Sequence, residues 1–245
     1  MPEGTGDSAF VLRLQGGFRL SDATGDIALA PSARRLVAYL ALQNGLARRR
    51  PTARALWPET DEDRAAAALR TAIWRTQASG QGLMEISRTH LRLAPGVVVD
   101  LWQTIALATR VLDPTAELTD GEVPPAAFRS GDLLEDWDEP WIIRERDRVR
   151  DLRLHALEAL GERLLARRRH GEAIEAAHAA IHADPLRESA HRLLVRAHLA
   201  AGSRGAALRA YAHWREVTRR EFGSEPSAEM RELVRGLEPF QPAGR

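Results

Sequence analysis

Apolar residues recur along this chain with two periods, and the switches between them mark its elements. Residues 10–14, 17–20 and 26–29 alternate with a period of two between Gly and Asp turns, which predicts a small antiparallel sheet. After Pro31 and Ser32 the period lengthens. Leu36, Val37, Tyr39, Leu40 and Leu42 predict a largely buried first helix ending near Asn44-Gly45. A short helix over 51–56 is closed by Trp57-Pro58, because proline lacks an amide hydrogen and biases the residue before it away from helix. Thr60-Asp61-Glu62-Asp63 reads as a capping box with Thr60 as cap and three acids at the positive end of the next helix dipole. An alanine-rich run carries that helix to Ser79-Gly80. Beyond Gly82 the period returns to two, in Leu83-Met84-Glu85-Ile86 and Leu91-Arg92-Leu93 around a polar turn at 87–90. A short helix, a capped helix and a hairpin in this order predict a winged helix-turn-helix.

Steps of about 100° along the capped helix separate two faces. Leu69 and Ile73, with Ala65, Ala66 and Ala72, form a buried stripe. Arg64, Ala67, Thr71, Trp74, Arg75 and Ala78 lie opposite, with Arg70 and Gln77 on the flanks. An α-helix fits the major groove of B-form DNA, where Arg can bond guanine edges and small or methyl groups can meet thymine methyls. A solvated helix that carries arginines accounts for the same pattern, and it is the adjoining wing that favours a groove-reading face. Arg34 and Arg35 at the start of the first helix, and Arg48, Arg49 and Arg50 before the second, are placed to hold phosphates, which fixes docking without reading sequence. Arg88 and Arg92 in the wing complete the candidate DNA-binding set.

The remainder is helical in pattern. A helix over 99–112 leads away from the wing, and 113–125 is polar with three prolines. The expected boundary lies near Val98, giving domains 1–98 and 99–245. Leu101, Trp102, Ile105 and Leu112 recur at helical spacing, which predicts a linking helix packed across both. An acidic turn over 131–140 precedes helices over 141–169, 171–184, 186–201, 204–222 and 227–237. Leu160, Gly161, Ala173, Ala180 and Pro185 match the tetratricopeptide pattern. A shift of 34 residues carries Leu160 onto Leu194, Ala173 onto Ala207 and Ala177 onto Tyr211, with Val195 in place of the second Gly. The predicted fold is therefore mainly α: an α+β winged helix-turn-helix followed by an all-α, tetratricopeptide-like repeat.

Composition narrows the chemistry. The chain of 245 residues contains no cysteine and no lysine, so all 35 basic side chains are arginine and thiolate chemistry is excluded. The net charge of +1 hides an asymmetry: residues 28–98 carry 11 Arg against 5 acids, whereas 99–245 carry 22 Arg against 25 acids. The first part has the footprint of a DNA-binding domain and the second does not. Apolar runs fall short of a membrane span, and residues 1–8, expected to be disordered, lack the pattern of a signal peptide. This points to a cytoplasmic protein without membrane partners. His178 and His182, and His191 and His198, have helix-face spacing, but no HExxH, Walker loop, GxSxG or GxGxxG is present. No enzyme, cofactor or metal is expected, and Asp136 and Asp138 read as a solvated pair.

Several motifs together resemble a known family. They are Leu36-Val37-Ala38-Tyr39-Leu40-Ala41-Leu42, Ala55-Leu56-Trp57-Pro58, Leu69-Arg70-Thr71-Ala72 and Val99-Asp100-Leu101-Trp102 in the first half. The second half adds Gly131-Asp132-Leu133-Leu134, Trp141, Arg144-Glu145-Arg146, Asp184-Pro185-Leu186, residues 190–194 and 206–211, and Glu221-Phe222-Gly223-Ser224-Glu225-Pro226-Ser227. In order and spacing the chain resembles the Streptomyces antibiotic regulatory proteins, which join an OmpR-like winged helix to a bacterial transcriptional activator domain. The resemblance implies an activator that binds direct repeats in double-stranded DNA as side-by-side protomers or a homodimer. It also implies contact with RNA polymerase holoenzyme and control of a biosynthetic gene cluster. It places the recognition helix at 63–78 and the wing at 84–93. The chain departs from the family at Thr76 and Gln77, where Leu and Arg are usual, and at Trp74, where a small residue is usual. The alternative expectation is a tetratricopeptide-like interaction adaptor whose winged helix is degenerate.

Overall fold

The computed structural model describes residues 10–119 and 123–237, so the stretch expected to be disordered, residues 1–8, lies outside the described residues. The chain divides into two compact units, one comprising residues up to Gln103 together with Gly131–Val149, the other Thr104–Ser130 and Arg150 onward.

In the first unit, β1 (Val11–Arg13), β2 (Arg19–Asp22) and β3 (Gly25–Asp26) form an antiparallel meander. The third strand sits earlier than the expected 26–29. Asp22 Oδ1 accepts from the Thr24 amide at 2.7 Å and its hydroxyl at 2.6 Å, which closes the turn within two residues and returns the chain at Gly25. These bonds also hold the Asp22 carboxyl below its usual pKa. Helix α1 (Pro31–Gln43) begins with proline at its first position, where the missing amide costs nothing, and ends at Asn44 in the left-handed region, φ 43°. It buries Leu36, Val37 and Leu40.

Two short strands were not legible in the sequence. β4 (Ala47–Arg48) pairs with the second wing strand, and β7 (Val98–Val99) pairs in parallel with β1, Val11 opposite Val98. Helix α4 (Asp100–Leu112) therefore starts one residue later than expected. The Asp100 carboxylate accepts from the amides of Leu14, Gln15 and Leu101 and so ties the end of β1 to the start of that helix, while burial pushes its pKa up.

The segment expected as an acidic turn does more than turn. Leu134 N donates to Leu14 O at 2.8 Å and Gly16 N to Asp132 O at 2.9 Å, while Leu133 and Leu134 are buried. Gly131 allows this approach, since a Cβ there would stand 2.8 Å from the Gly16 Cα. From α5 (Pro140–Ala166), Arg146 donates to the carbonyls of Leu133, Leu134 and Trp137. Asp136 and Asp138 are exposed.

The second unit stacks antiparallel neighbours. α6 (His170–Ala183), α7 (Glu188–Ala200) and α8 (Arg204–Phe222) pack in sequence, and α9 (Ala228–Leu233) lies against α7. The repeat pattern marks where the helices come closest. Ala173, Ala177, Ala180 and Ala207 are fully buried, and a Cβ on Gly161 would meet the Leu193 side chain. Small residues at these positions let helix axes approach without voids. α7 starts at Glu188 rather than 186, because Asp184 Oδ1 accepts from the Leu186 amide at 3.1 Å and holds the preceding residues in a turn. Among the described residues, no helix is long and apolar enough to cross a membrane.

Candidate nucleic-acid interface

The two faces of α3 (Glu62–Ser79) follow from its sequence period. Ala65, Leu69, Ala72, Ile73 and Thr76 are buried, and each large apolar member stabilises the fold by about 1.5–3 kcal/mol. Ala66, expected in the stripe, is half-buried. Thr76 fits the buried side because its hydroxyl donates to Ala72 O at 2.8 Å, which leaves no unmet polar group. The helix cap is Asp61, whose carboxylate accepts from Arg64 N at 2.9 Å. Thr60, the expected cap, instead donates its hydroxyl to Trp57 O at 3.1 Å. Both are cap-forming residues, and the turn after Trp57 brings Asp61 to the helix mouth.

Arg64, Arg70, Thr71, Trp74, Arg75 and Gln77 are all exposed, as are Ala67 and Ala78. Trp74 is 68% exposed, an unusual state for so large an apolar side chain. Arg64 pairs loosely with Asp61 at 3.3 Å, and Arg75 donates to the Ser32 hydroxyl at 3.1 Å. Exposed pairs of this kind contribute about 0–1 kcal/mol and yield readily to a competing anion.

Next to this face, α2 (Arg49–Leu56) starts two residues earlier than expected, directly from β4. Arg49 N donates to Thr89 O at 2.9 Å, and Thr52 caps Arg48 O at 2.8 Å, so the wing hairpin and α2 share backbone bonds. Arg48 and Arg50 are exposed and Arg49 is half-buried. A cleft of about 270 Å³ lies between α2 and the start of α3, lined by Arg49, Arg50, Arg54 and Arg70 opposite Glu62 and Asp63. Glu62 pairs with Arg50 at 3.2 Å and Arg54 at 3.9 Å. Arg54 escaped the sequence reading, although its spacing of four from Arg50 puts both on one helix face.

The wing consists of β5 (Met84–Ile86) and β6 (His90–Leu93), with Glu85 opposite Arg92. Ser87 closes its tip: its amide donates to His90 O, and its hydroxyl accepts from the His90 amide at 2.9 Å. Arg88 is exposed in that turn, and Arg92 pairs with Glu85 at 2.7 Å.

Arg34 and Arg35 lie at the start of α1, next to the Ser32 that Arg75 reaches. The Arg34 guanidinium sits 5.0 Å over the Phe18 ring and 5.9 Å from that of Trp137, which itself stacks on Phe18. Arg35 donates to Leu56 O at 2.8 Å and pairs with Glu139 at 3.1 Å, both partners half-buried. Both arginines are half-buried and have partners within the unit.

Residues 125–237 match the model of the bacterial transcriptional activator domain. Over 239 residues, 87% of the chain, it is 29% identical to the regulatory protein AfsR of Streptomyces coelicolor. By these two matches the chain is similar to the SARP-type transcriptional regulators. It spans 22% of the length of that relative. In fold this chain is similar to Mycobacterium tuberculosis EmbR, solved in complex with a low-affinity phosphopeptide. The TM-score is 0.71 at 18% identity, over 96% of this chain and 67% of that one. The likeness carries the architecture, an N-terminal winged helix with a small sheet region followed by a repeat-like helical domain.

Proposed function

We propose that this regulator binds double-stranded DNA sequence-specifically through α3 and the wing, and that it activates transcription. In this reading α3 enters the major groove, with Arg64, Arg70, Thr71, Trp74, Arg75 and Gln77 toward the base edges. Arg48, Arg49, Arg50, Arg54, Arg88 and Arg92 hold phosphates on either side. Arg34 and Arg35, half-exposed at the start of α1 beside the Ser32 that Arg75 reaches, hold phosphates next to α3. Residues 1–98 carry the DNA-reading elements and 99–245 the activating ones. Protomers bind side by side on direct repeats near a promoter, contact RNA polymerase holoenzyme and switch on a biosynthetic gene cluster, as the family likeness implies.

The observation that carries this reading is the outer face of α3. An 18-residue helix buries one stripe in the core and leaves the whole opposite face open, with cationic side chains beside it on α2 and the wing. Thr76, which departs from the family, is accommodated inside and leaves that face intact. A gel-shift assay of the full chain on the upstream regions of its neighbouring genes tests the proposal. A retarded complex on one region, competed by that duplex and not by unrelated DNA, is expected. Equal retention of every duplex would contradict sequence-specific binding.

A further inference from the structure

The outer face of α3 is not uniformly cationic. Along its centre run Ala67, Thr71, Trp74 and Ala78, three or four residues apart, which places them in one row on the helix surface. The Thr71 hydroxyl donates its proton to Ala67 O at 3.1 Å, which leaves its methyl and an acceptor oxygen to a partner. Trp74 dominates the row at 68% exposure. Arg64, Arg70 and Arg75 and the Gln77 amide frame it, all exposed. A lone apolar row of this size on a solvated helix loses the stabilisation that burial would supply.

We infer that this row, with Trp74 at its centre, reads the C5 methyl groups of thymines in the major groove, while the flanking arginines grip phosphates and guanine edges. The inference rests on the DNA-binding reading above and sharpens it: the middle of each repeat is A·T, recognised by apolar contact. Charge selects the occupant. A protein surface that fits an apolar row inside an arginine frame must be acidic and apolar together, whereas the major groove at a thymine offers a methyl group between two rows of phosphates. Thymine differs from cytosine and uracil on its groove edge in ways the row can use, since the methyl is the one apolar group that a base pair presents there. The Trp74 indole covers a methyl more completely than a small side chain can, so discrimination at that position is stronger than in a helix with alanine there.

The test starts from duplexes selected by the full chain out of a random pool. In the best duplex, each thymine is replaced singly by deoxyuridine, which removes the methyl and leaves pairing intact. For the wild-type protein one or two replacements should weaken binding about fourfold, the value of one buried methyl. For Trp74→Ala the same replacements should have less than a twofold effect. Trp74→Phe should restore part of the sensitivity. Because Trp74 is exposed, the variants should melt with the wild type, and a circular-dichroism melt checks this. Selection of a duplex whose binding ignores every deoxyuridine, or loses equally in wild type and Trp74→Ala, overturns the role of Trp74 and leaves the DNA-binding reading standing. If no duplex is selected, that reading itself falls, and a protein partner becomes the occupant of the row.

Discussion

Apart from histidine, arginine supplies every basic side chain in this protein, and the two units use it differently. In the second unit guanidinium groups are spent on the fold. Arg187 forks onto Glu158, Arg192 reaches Glu229, and Arg215 and Arg219 share Glu225. Arg153 donates to Phe128 O, and Arg167 to Leu118 O at 2.6 Å. Around α3 and the wing the contacts are sparser and more exposed, and Glu62 alone serves Arg50 and Arg54. The lesson is that a count of positive charge locates a binding surface poorly. What matters is whether each guanidinium has a partner it would have to give up. Arg34, Arg35 and Arg146 show that the first unit, too, engages arginines in contacts of its own.

Two of the six tryptophans offer the sharpest contrast. Trp214 is 1% exposed, stacked 4.3 Å on His191, and donates from its indole nitrogen to Glu188 at 3.0 Å. Trp214→Ala should cost about 3–5 kcal/mol in urea unfolding, as large-to-small changes in a core do. Trp74→Ala should stay within about 0.5 kcal/mol of wild type. A large loss of stability in the second variant would mean that Trp74 is packed, and would remove the contrast.

Arginines divide in the same way. Arg187→Ala breaks a bidentate, largely shielded pair and should destabilise the fold by about 1–3 kcal/mol while leaving affinity for a selected duplex unchanged. Arg75→Ala should leave stability unchanged and relax base preference at one position by about 1–3 kcal/mol. Arg49→Ala should weaken all sequences alike and lower the salt slope by about 1. Competition binding on single-base variants of the selected duplex separates the last two, and the reverse outcome would rotate the assigned face of α3.

A smaller effect is expected with pH, and in the second unit. His191 is 2% exposed, its Nε2 lies 2.9 Å from Pro185 O, and Asp184, Glu188, His213 and Trp214 surround it. Burial holds its pKa below the ordinary 6.5, with His213 acting in the same direction against the two carboxylates. The unfolded chain therefore takes up this proton first. Stability from this group is complete above about pH 6.5 and is lost as pH falls toward the folded pKa, by at most about 1.4 kcal/mol per pH unit. His198, lowered by burial and by His178 and Arg209, adds a loss of the same sign. Urea unfolding at several pH values should show a steeper decline for wild type than for His191→Asn.

Much of this arrangement was legible in the sequence because it is local. The period of α3 separated Leu69 and Ile73 from Arg64, Trp74 and Arg75, and the return to a period of two located the wing. The parts that were not legible depend on distant partners. β4 and β7 are two residues each, too short to carry a period, and exist because Leu91 and Val11 lie opposite them. The positions of Arg34 and Arg35 were clear, but their partners Phe18, Trp137, Leu56 and Glu139 come from elsewhere along the chain. For the same reason the pairing of 131–134 with 14–16 was hidden within what read as an acidic turn. That pairing also means that a chain cut at the expected boundary near Val98 would lose Leu133, Leu134 and Arg146 from the first unit. Substitution in the full chain is the better route.

The most direct test of the central claim is the salt dependence of duplex binding by the full chain. With several exposed arginines on phosphates, log K should fall linearly with log salt concentration at about 0.9 per phosphate neutralised. Arg48→Ala, Arg50→Ala and Arg88→Ala should each flatten the line, and Arg187→Ala should not. A line that is flat between low and physiological salt, or one that changes with Arg187 and ignores the other three, would contradict the account.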